Sequence, residues 1–291
     1  MYSFVFFGTS EFSVIALVTL RGRGLLPIAV VTTPDRPQGR KLVITAPPTK
    51  TWAKEHGCRV IQFEKLDVTA VLSLKALNAD LFIVASYGKI IPQAILDIPQ
   101  YGCLNIHPSI LPKYRGAAPL QSTIIADNEE TGVTIIKMDA GMDSGPIVAA
   151  KKVSMKAWPP KFSEIERMLA IEGADLIADN LSAYIDGSLI PQQQLHSNAT
   201  FTKKISKEDG LIDPFSDDRT ILRHAYLKIQ AFEGWPGAYF FTERKGKKIR
   251  VLVKDAEYEA GALGSADKLI LTRVVPEGGK EMGYEDFTKG L

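Results

Sequence analysis

Cysteine is nearly missing from this 291-residue sequence: Cys58 and Cys103 are the only two, far apart and outside any C-x-x-C pair. A disulfide framework and a cysteine zinc site are thereby excluded, and a reducing compartment is indicated. Nothing else in the sequence calls for a metal. No apolar run approaches the ~20 residues of a bilayer span. Met1 leads straight into "YSFVFFG" without the charged and apolar regions of a signal peptide, so the expectation is a cytoplasmic protein with no membrane association. Charge of one sign is lacking too. Lys+Arg 35 against Asp+Glu 33 leaves a net +2, so any polyanion site has to be local. No internal repeat or low-complexity tract is present, and 45% hydrophobic with 23% charged residues is an ordinary globular composition.

What is present is alternation. The runs "YSFVFF" (2–7), "PIAVVTT" (27–33), "CRVIQF" (58–63), "LFIVAS" (81–86) and "GCLNIH" (102–107) are near-continuously apolar, as strands buried on both faces are. Between them, "EFSVIALVTL", "PPTKTWAKEH" and "VTAVLSLKAL" carry helical spacing. This pattern predicts an α/β fold with a doubly wound, mostly parallel, Rossmann-like sheet. "GVTIIKMD" and "GPIVAAKKVSM" follow as late edge strands, and a long amphipathic helix ends at Gly187 as a C-cap. The chain is long enough for two domains. Residues 1–187 read as the first, 188–202 ("SLIPQQQLHSNATFT", polar and aperiodic) as a linker, and 203–291 as the second. The second has one helix and then short strands divided by Gly and charged turns, the pattern of a small, OB-like β-barrel.

The chemistry concentrates around "NIHPSILPKYRGAAP" (105–119). Asn105 and His107 are two apart, so on a strand both side chains face one way, at the carboxyl edge where open α/β sheets bind ligands. The irregular loop beyond them can wall a pocket. "MDAGMDSG" offers Asp139 and Asp143 on a Gly-flanked turn, and a carboxylate beside an imidazole raises its pKa and holds it as a cation. Amide, imidazole and carboxylate together suit acyl transfer. A structural histidine and a plain turn aspartate are the bland alternatives. "FFGTSEFS" lacks G-x-G-x-x-G and reads as a tight turn with Ser10 as helix N-cap. Two basic groups remain: Arg36, Arg40 and Lys41 in the loop 32–50, and Lys245, Lys247 and Lys248 within "ERKGKKIR". Each is either a solvated surface or a contact to nucleic-acid phosphates.

"NIHPSILPKYRGAAPLQ" followed by "ETGVTIIKMDAGMDSGPI" resembles the folate-dependent formyltransferases. "FFGTSEFS", "TTPDRPQGR", "SYGKIIP", "KISKEDGLID" and "AFEGWPGAYF" extend the likeness end to end toward the branch whose acceptor is initiator methionyl-tRNA. The resemblance implies a catalytic trio of Asn105, His107 and Asp143, with 10-formyltetrahydrofolate as co-substrate. It implies folate contacts from Ser109, Ile110, Leu111 and Pro112, from Ser86, Tyr87, Gly88 and Ile90, and from Asp139. It makes both basic groups tRNA-binding and the protein a monomer. Two features depart from the branch. After Gly39, Arg40, Lys41 and Leu42 the sequence runs "VITAPPTK", so further basic positions of the finger are shifted or lost. The C-terminal region is also acidic around Glu277, Glu281, Glu285 and Asp286. Rival readings are a formyltransferase acting on an amino-sugar nucleotide and a non-catalytic RNA-binding protein on the same scaffold.

Overall fold

A strand that is apolar at every position has to be covered on both faces, which parallel strands with crossover helices achieve. The protein, seen in a computed structural model that describes residues 2–39, 42–261 and 266–290, is built this way over its first part. In chain order come β1 (Phe4–Gly8), α1 (Glu11–Gly22), β2 (Ala29–Thr32), β3 (Arg36–Gln38), β4 (Val43–Thr45), α2 (Pro48–Glu55), β5 (Arg59–Gln62), α3 (Val68–Lys75), β6 (Leu81–Ala85), α4 (Gln93–Leu96), β7 (Cys103–His107) and β8 (Arg115–Gly116). They are followed by α5 (Pro119–Ile125), β9 (Thr131–Lys137), β10 (Ile147–Val153), α6 (Phe162–Ile185), β11 (Phe201–Thr202), α7 (Arg219–Ala231), β12 (Ala238–Arg244), β13 (Lys247–Glu259), β14 (Lys268–Pro276), β15 (Met282–Gly283) and α8 (Tyr284–Thr288).

The main sheet has the order β10-β9-β7-β6-β1-β2-β5. Its five expected strands pair in parallel, and β9 and β10 add antiparallel at one edge, beside β7. The chain grows outward from β1 through β2 to β5, then returns to place β6 on the other side of β1. The carboxyl ends of β1 and β6 therefore flank the switch point where such sheets open a crevice. On one face Phe7, Phe82, Tyr87, Ile95 and Cys103 belong to a single buried cluster. The opposite face of β7 is closed by α6. A Cβ on Gly173 would come within 2.3 Å of the Ile106 side chain, so only glycine lets this helix approach so near.

The first compact unit comprises residues 1–116, 130–154 and 166–201, and the second 117–129, 155–165 and 202–291. The stretches 117–129 and 155–165, expected in the first domain, thus fall in the second unit. Residues 188–202 are also not a free spacer. Gln192 exchanges backbone hydrogen bonds with Ile147 at 2.7 and 2.8 Å, and Gln194 is buried. Composition hides this, because the segment is held by its amides rather than by a periodic apolar face.

In the second unit β12-β13-β14-β15 form an antiparallel sheet, extended by a bridge from Leu211 to Tyr239. Register shifts around Asp255 bend β13 in the manner of a small barrel. Ile229, Phe240, Val251, Val274 and Phe287 fill its core. Helix α7 starts on Asp218, whose carboxylate accepts from the N–H groups of Thr220 and Ile221. The β12–β13 hairpin turns on Lys245 and Gly246, both at positive φ (51° and 72°), which is a type I′ geometry matched to strand twist. Among the described residues no helix is long and apolar enough to cross a membrane.

Candidate active site

Strand alternation does the first part of the work. Leu104 and Ile106 are buried, Ile106 beneath α6, while Asn105 and His107 share the other side of β7. The Asn105 side chain is half-buried and makes no hydrogen bond among the described residues. His107 is enclosed, 4% exposed. Its Nε2–H donates to the Tyr114 carbonyl oxygen at 3.0 Å, and its Nδ1 lies 3.6 Å from Asp143 Oδ1. The structure therefore brings the trio's imidazole and carboxylate together from segments 36 residues apart, and places Asn105 one strand repeat away.

Asp143 is held in an unusual way. Its backbone lies at φ 49°, a region that non-glycine residues seldom occupy. Its Oδ2 accepts from the Gly116 N–H at 2.8 Å, leaving Oδ1 toward the imidazole. Burial pushes the His107 pKa below its ordinary value; the Asp143 charge and the Tyr114 carbonyl pull it back up, and the Arg115 guanidinium lowers it further. The net direction is down. The standing imidazolium expected from the sequence is thus corrected: desolvation of a fully enclosed ring outweighs one carboxylate at 3.6 Å.

The proline-rich loop after β7 is fixed by side chains that sequence reading passed over. Thr134 Oγ1 donates to the Ser109 carbonyl at 2.7 Å and accepts from the Leu111 N–H at 3.1 Å. Tyr114 N–H donates to Thr200 Oγ1 at 2.8 Å. Ser109, expected to touch folate, is buried and its hydroxyl donates to the Lys113 carbonyl at 2.7 Å. Leu111 is buried, and Ile110 reaches toward Gly132, where a Cβ would lie 2.5 Å from Ile110 Cδ1. Asp139 Oδ1 accepts from Gly141 N–H and Ser144 Oγ, so it organises the turn that carries Asp143.

At the neighbouring carboxyl end of β6, Ser86 and Gly88 turn the chain at φ 49° and 79°. Tyr87 is buried, its hydroxyl has no hydrogen-bond partner among the described residues, and burial raises its pKa to about 12. Ile90 is 89% exposed. Ser10 does not cap α1 with its side chain; its hydroxyl donates to Ser86 Oγ at 2.8 Å. The turn "GTS" is structural, since a Cβ on Gly8 would collide with Ser13 and Phe6. Among the described residues no group of three His, Cys, Asp or Glu is placed to hold a metal ion.

Of the basic finger, Arg40 and Lys41 lie outside the described residues. Arg36 sits on a β3–β4 hairpin that the loop reading did not foresee, and its exposed guanidinium pairs with Glu64 at 2.6 Å. In the second unit Lys245, Lys247 and Lys248 are all exposed at the hairpin turn. Lys248 stands over the half-exposed Phe241 ring at 4.7 Å, and Arg250 over Tyr239 at 3.8 Å.

With residues 3–178 matching the family described as Formyl transferase, the chain belongs to the formyl transferase family. Over its full length it groups with the methionyl-tRNA formyltransferases: that of Neisseria meningitidis serogroup C (strain 053442) is 37% identical over 302 residues, covering 98% of this chain and 96% of that protein. The fold is similar to several solved structures. A sugar N-formyltransferase from Shewanella sp. aligns with TM-score 0.62 at 19% identity, over 85% of this chain and 95% of that one. HypX from Aquifex aeolicus in complex with tetrahydrofolic acid aligns with TM-score 0.62 at 17% identity, over 99% of this chain and 46% of that one. The methionyl-tRNA formyltransferase from Clostridium thermocellum aligns with TM-score 0.56 at 17% identity, over 93% of this chain and all of that one (100%).

Proposed function

We propose that this enzyme transfers the formyl group of 10-formyltetrahydrofolate to the α-amine of methionine on initiator tRNA, acting in the cytoplasm as a monomer. The observation that carries the reading is the pair His107 Nδ1 and Asp143 Oδ1, two acceptors 3.6 Å apart, beside the amide of Asn105 on the same strand as His107, which makes no hydrogen bond among the described residues. Because Nε2–H is committed to Tyr114, the neutral imidazole presents a lone pair toward the carboxylate. Such a pair is built to take one proton and hold it between nitrogen and oxygen.

The amine nitrogen attacks the formyl carbon, and the carbonyl oxygen becomes an oxyanion that the Asn105 N–H groups stabilise. The amine proton passes, directly or through water, to the His107–Asp143 pair. His107 becomes an imidazolium at that moment, stabilised by Asp143, and adds its charge opposite the oxyanion. The proton then goes to the folate nitrogen as its bond to the formyl carbon breaks. Every proton taken up is returned, and all three groups come from one chain.

For folate, the turn at Ser86, Tyr87 and Gly88 beside Ile90 and the chain 109–112 form the receiving edge. The buried Tyr87 hydroxyl, without a hydrogen-bond partner among the described residues, is a polar atom that a pterin ring can satisfy. Ser109 contributes backbone rather than its hydroxyl, and Ile110 and Leu111 act as the packed floor beneath Pro112. Asp139 shapes the turn. Arg36, Arg40 and Lys41 together with Lys245, Lys247 and Lys248 supply backbone contacts to tRNA.

The deciding experiment incubates the purified protein with 10-formyltetrahydrofolate and either charged initiator tRNA or amino-sugar nucleotides. Formylation of the methionyl-tRNA is expected; turnover confined to the sugar nucleotide transfers the chemistry to another acceptor, and no turnover on either sinks the enzyme reading. Replacing Asn105, His107 or Asp143 by Ala should lower kcat by on the order of a hundredfold with folate binding retained. Near-normal kcat in any one of the three removes that residue from the mechanism.

A further inference from the structure

The catalytic reading leaves unexplained how Asp143, in a conformation that non-glycine residues avoid, keeps Oδ1 aimed at His107. The answer lies in the segment 188–202. Gln192 is locked to Ile147 through two backbone hydrogen bonds, which fixes the position of Gln194 two residues on. Gln194 is 5% exposed. Its Nε2 donates to the carbonyl oxygens of Asp143 at 2.9 Å and of Gly145 at 2.7 Å. Its Oε1 accepts from Arg115 Nη2 at 2.6 Å and Nε at 3.2 Å. Both donors and both lone pairs of the amide are thereby used.

These four bonds tie together the two loops that build the proton-handling pair. Arg115, itself 4% exposed, is flanked by Tyr114, whose carbonyl receives the His107 Nε2–H, and by Gly116, whose N–H holds Asp143 Oδ2. On the other side the clamp grips the backbone of Asp143 itself and of Gly145. Gly145 packs directly on β9, where a Cβ would meet the Lys137 carbonyl oxygen at 1.9 Å, so no larger residue fits at this point of the turn. We propose that Gln194, anchored by Arg115, is a positioning residue that sets the Asp143 carboxylate against His107 Nδ1. It acts through Asp143 and touches no substrate, and it rests on the reading of Asp143 as the proton-handling carboxylate.

The chemistry of the clamp requires an amide. A carboxylate of the same shape would satisfy Arg115 even better, but it would turn the end facing two carbonyl oxygens from donor to acceptor. Gln194→Glu therefore keeps volume and anchor but replaces the grip on Asp143 by repulsion between a carboxylate oxygen and two carbonyl oxygens, and Gln194→Met removes the grip without adding charge.

The test compares wild type, Gln194→Glu, Asp143→Asn and the double variant in the full chain with 10-formyltetrahydrofolate and charged initiator tRNA, following kcat, both KM values and thermal unfolding. Gln194→Met serves as a second probe, uncharged and of similar length. The expected result is a kcat lower by about a hundredfold in Gln194→Glu, with both KM values within about threefold of wild type and a folded protein. In the Asp143→Asn background the same change is expected to cost less than about threefold more, because it acts through a carboxylate already gone. An unchanged kcat in Gln194→Glu, or an equal loss in both backgrounds, overturns the proposal. So does loss of the folded state in both Gln194 variants, which makes the segment merely structural. Near-normal kcat in Asp143→Asn instead overturns the role of Asp143 itself, whereas an inactive Asp143→Asn beside a fully active Gln194→Glu removes the clamp alone.

Discussion

At the residue scale the site turns on a histidine that the protein makes reluctant to carry charge. Burial holds His107 below its ordinary pKa, against the pull of Asp143 and the Tyr114 carbonyl. A group lowered on folding binds more protons in the unfolded chain, so stability rises with pH through the interval from the folded pKa up to the unfolded value of ~6.5. Stability from this source is complete above that value and is lost as pH falls through the window beneath it. His224 is lowered as well, by burial and by Lys228, and contributes a slope of the same sign. The comparison that isolates His107 is therefore between variants. His107→Asn is expected to flatten the fall in urea midpoint below pH ~6.5 relative to wild type, and an unaltered slope would mean that the ring is not held neutral. The same reluctance fits the proposed chemistry, in which a base that starts neutral accepts the amine proton.

At the element scale, α6 packs closely on the back of β7, and one residue permits it. Gly173→Ala should destabilise the protein by up to about 2 kcal/mol net in urea unfolding, because overpacking against buried Ile106, about 1–3 kcal/mol, exceeds the ~1 kcal/mol that alanine gains in a helix interior. A more stable variant would show that α6 has room to move away. Elements of this kind explain what sequence disclosed and what it hid. The five parallel strands were legible because each is apolar at nearly every position, and Asn105 with His107 were legible because a period of two puts them on one side. The β3–β4 hairpin was hidden, since Val43 and Ile44 are exposed and follow no buried pattern. The residues 188–202 and the role of Gln194 were hidden because hydrogen-bonded amides leave no periodicity. The charge state of His107 was misread because spacing reveals a neighbouring carboxylate but not the depth of enclosure that opposes it.

At the scale of the whole molecule the question is how a chain of net charge +2 holds a polyanion. Lys245, Lys247 and Lys248 crowd a two-residue turn in the second unit, all exposed, with Lys248 over the face of Phe241 and Arg250 farther along the strand over Tyr239. If these lysines lie along tRNA phosphates, each releases condensed counterions, and the slope of log affinity against log salt falls by just under 1 for each contact removed. Replacing all three by Gln should therefore flatten the slope by about 2–3 while leaving single-turnover formylation of bound tRNA within about twofold, because backbone contacts position without entering the chemistry. Arg36 gives the comparison from the other basic group: its guanidinium has to leave Glu64 to reach a phosphate, so Arg36→Ala should change the slope by less than the ~1 of an unpaired cation. The measurement is tRNA affinity from low to physiological salt for wild type and both variants, with single-turnover rates at saturating protein. An unchanged slope in the triple variant removes tRNA from the hairpin. A slope lost equally in Arg36→Ala would mean that the Glu64 pair opens on binding and that the first unit carries as much of the phosphate contact as the second.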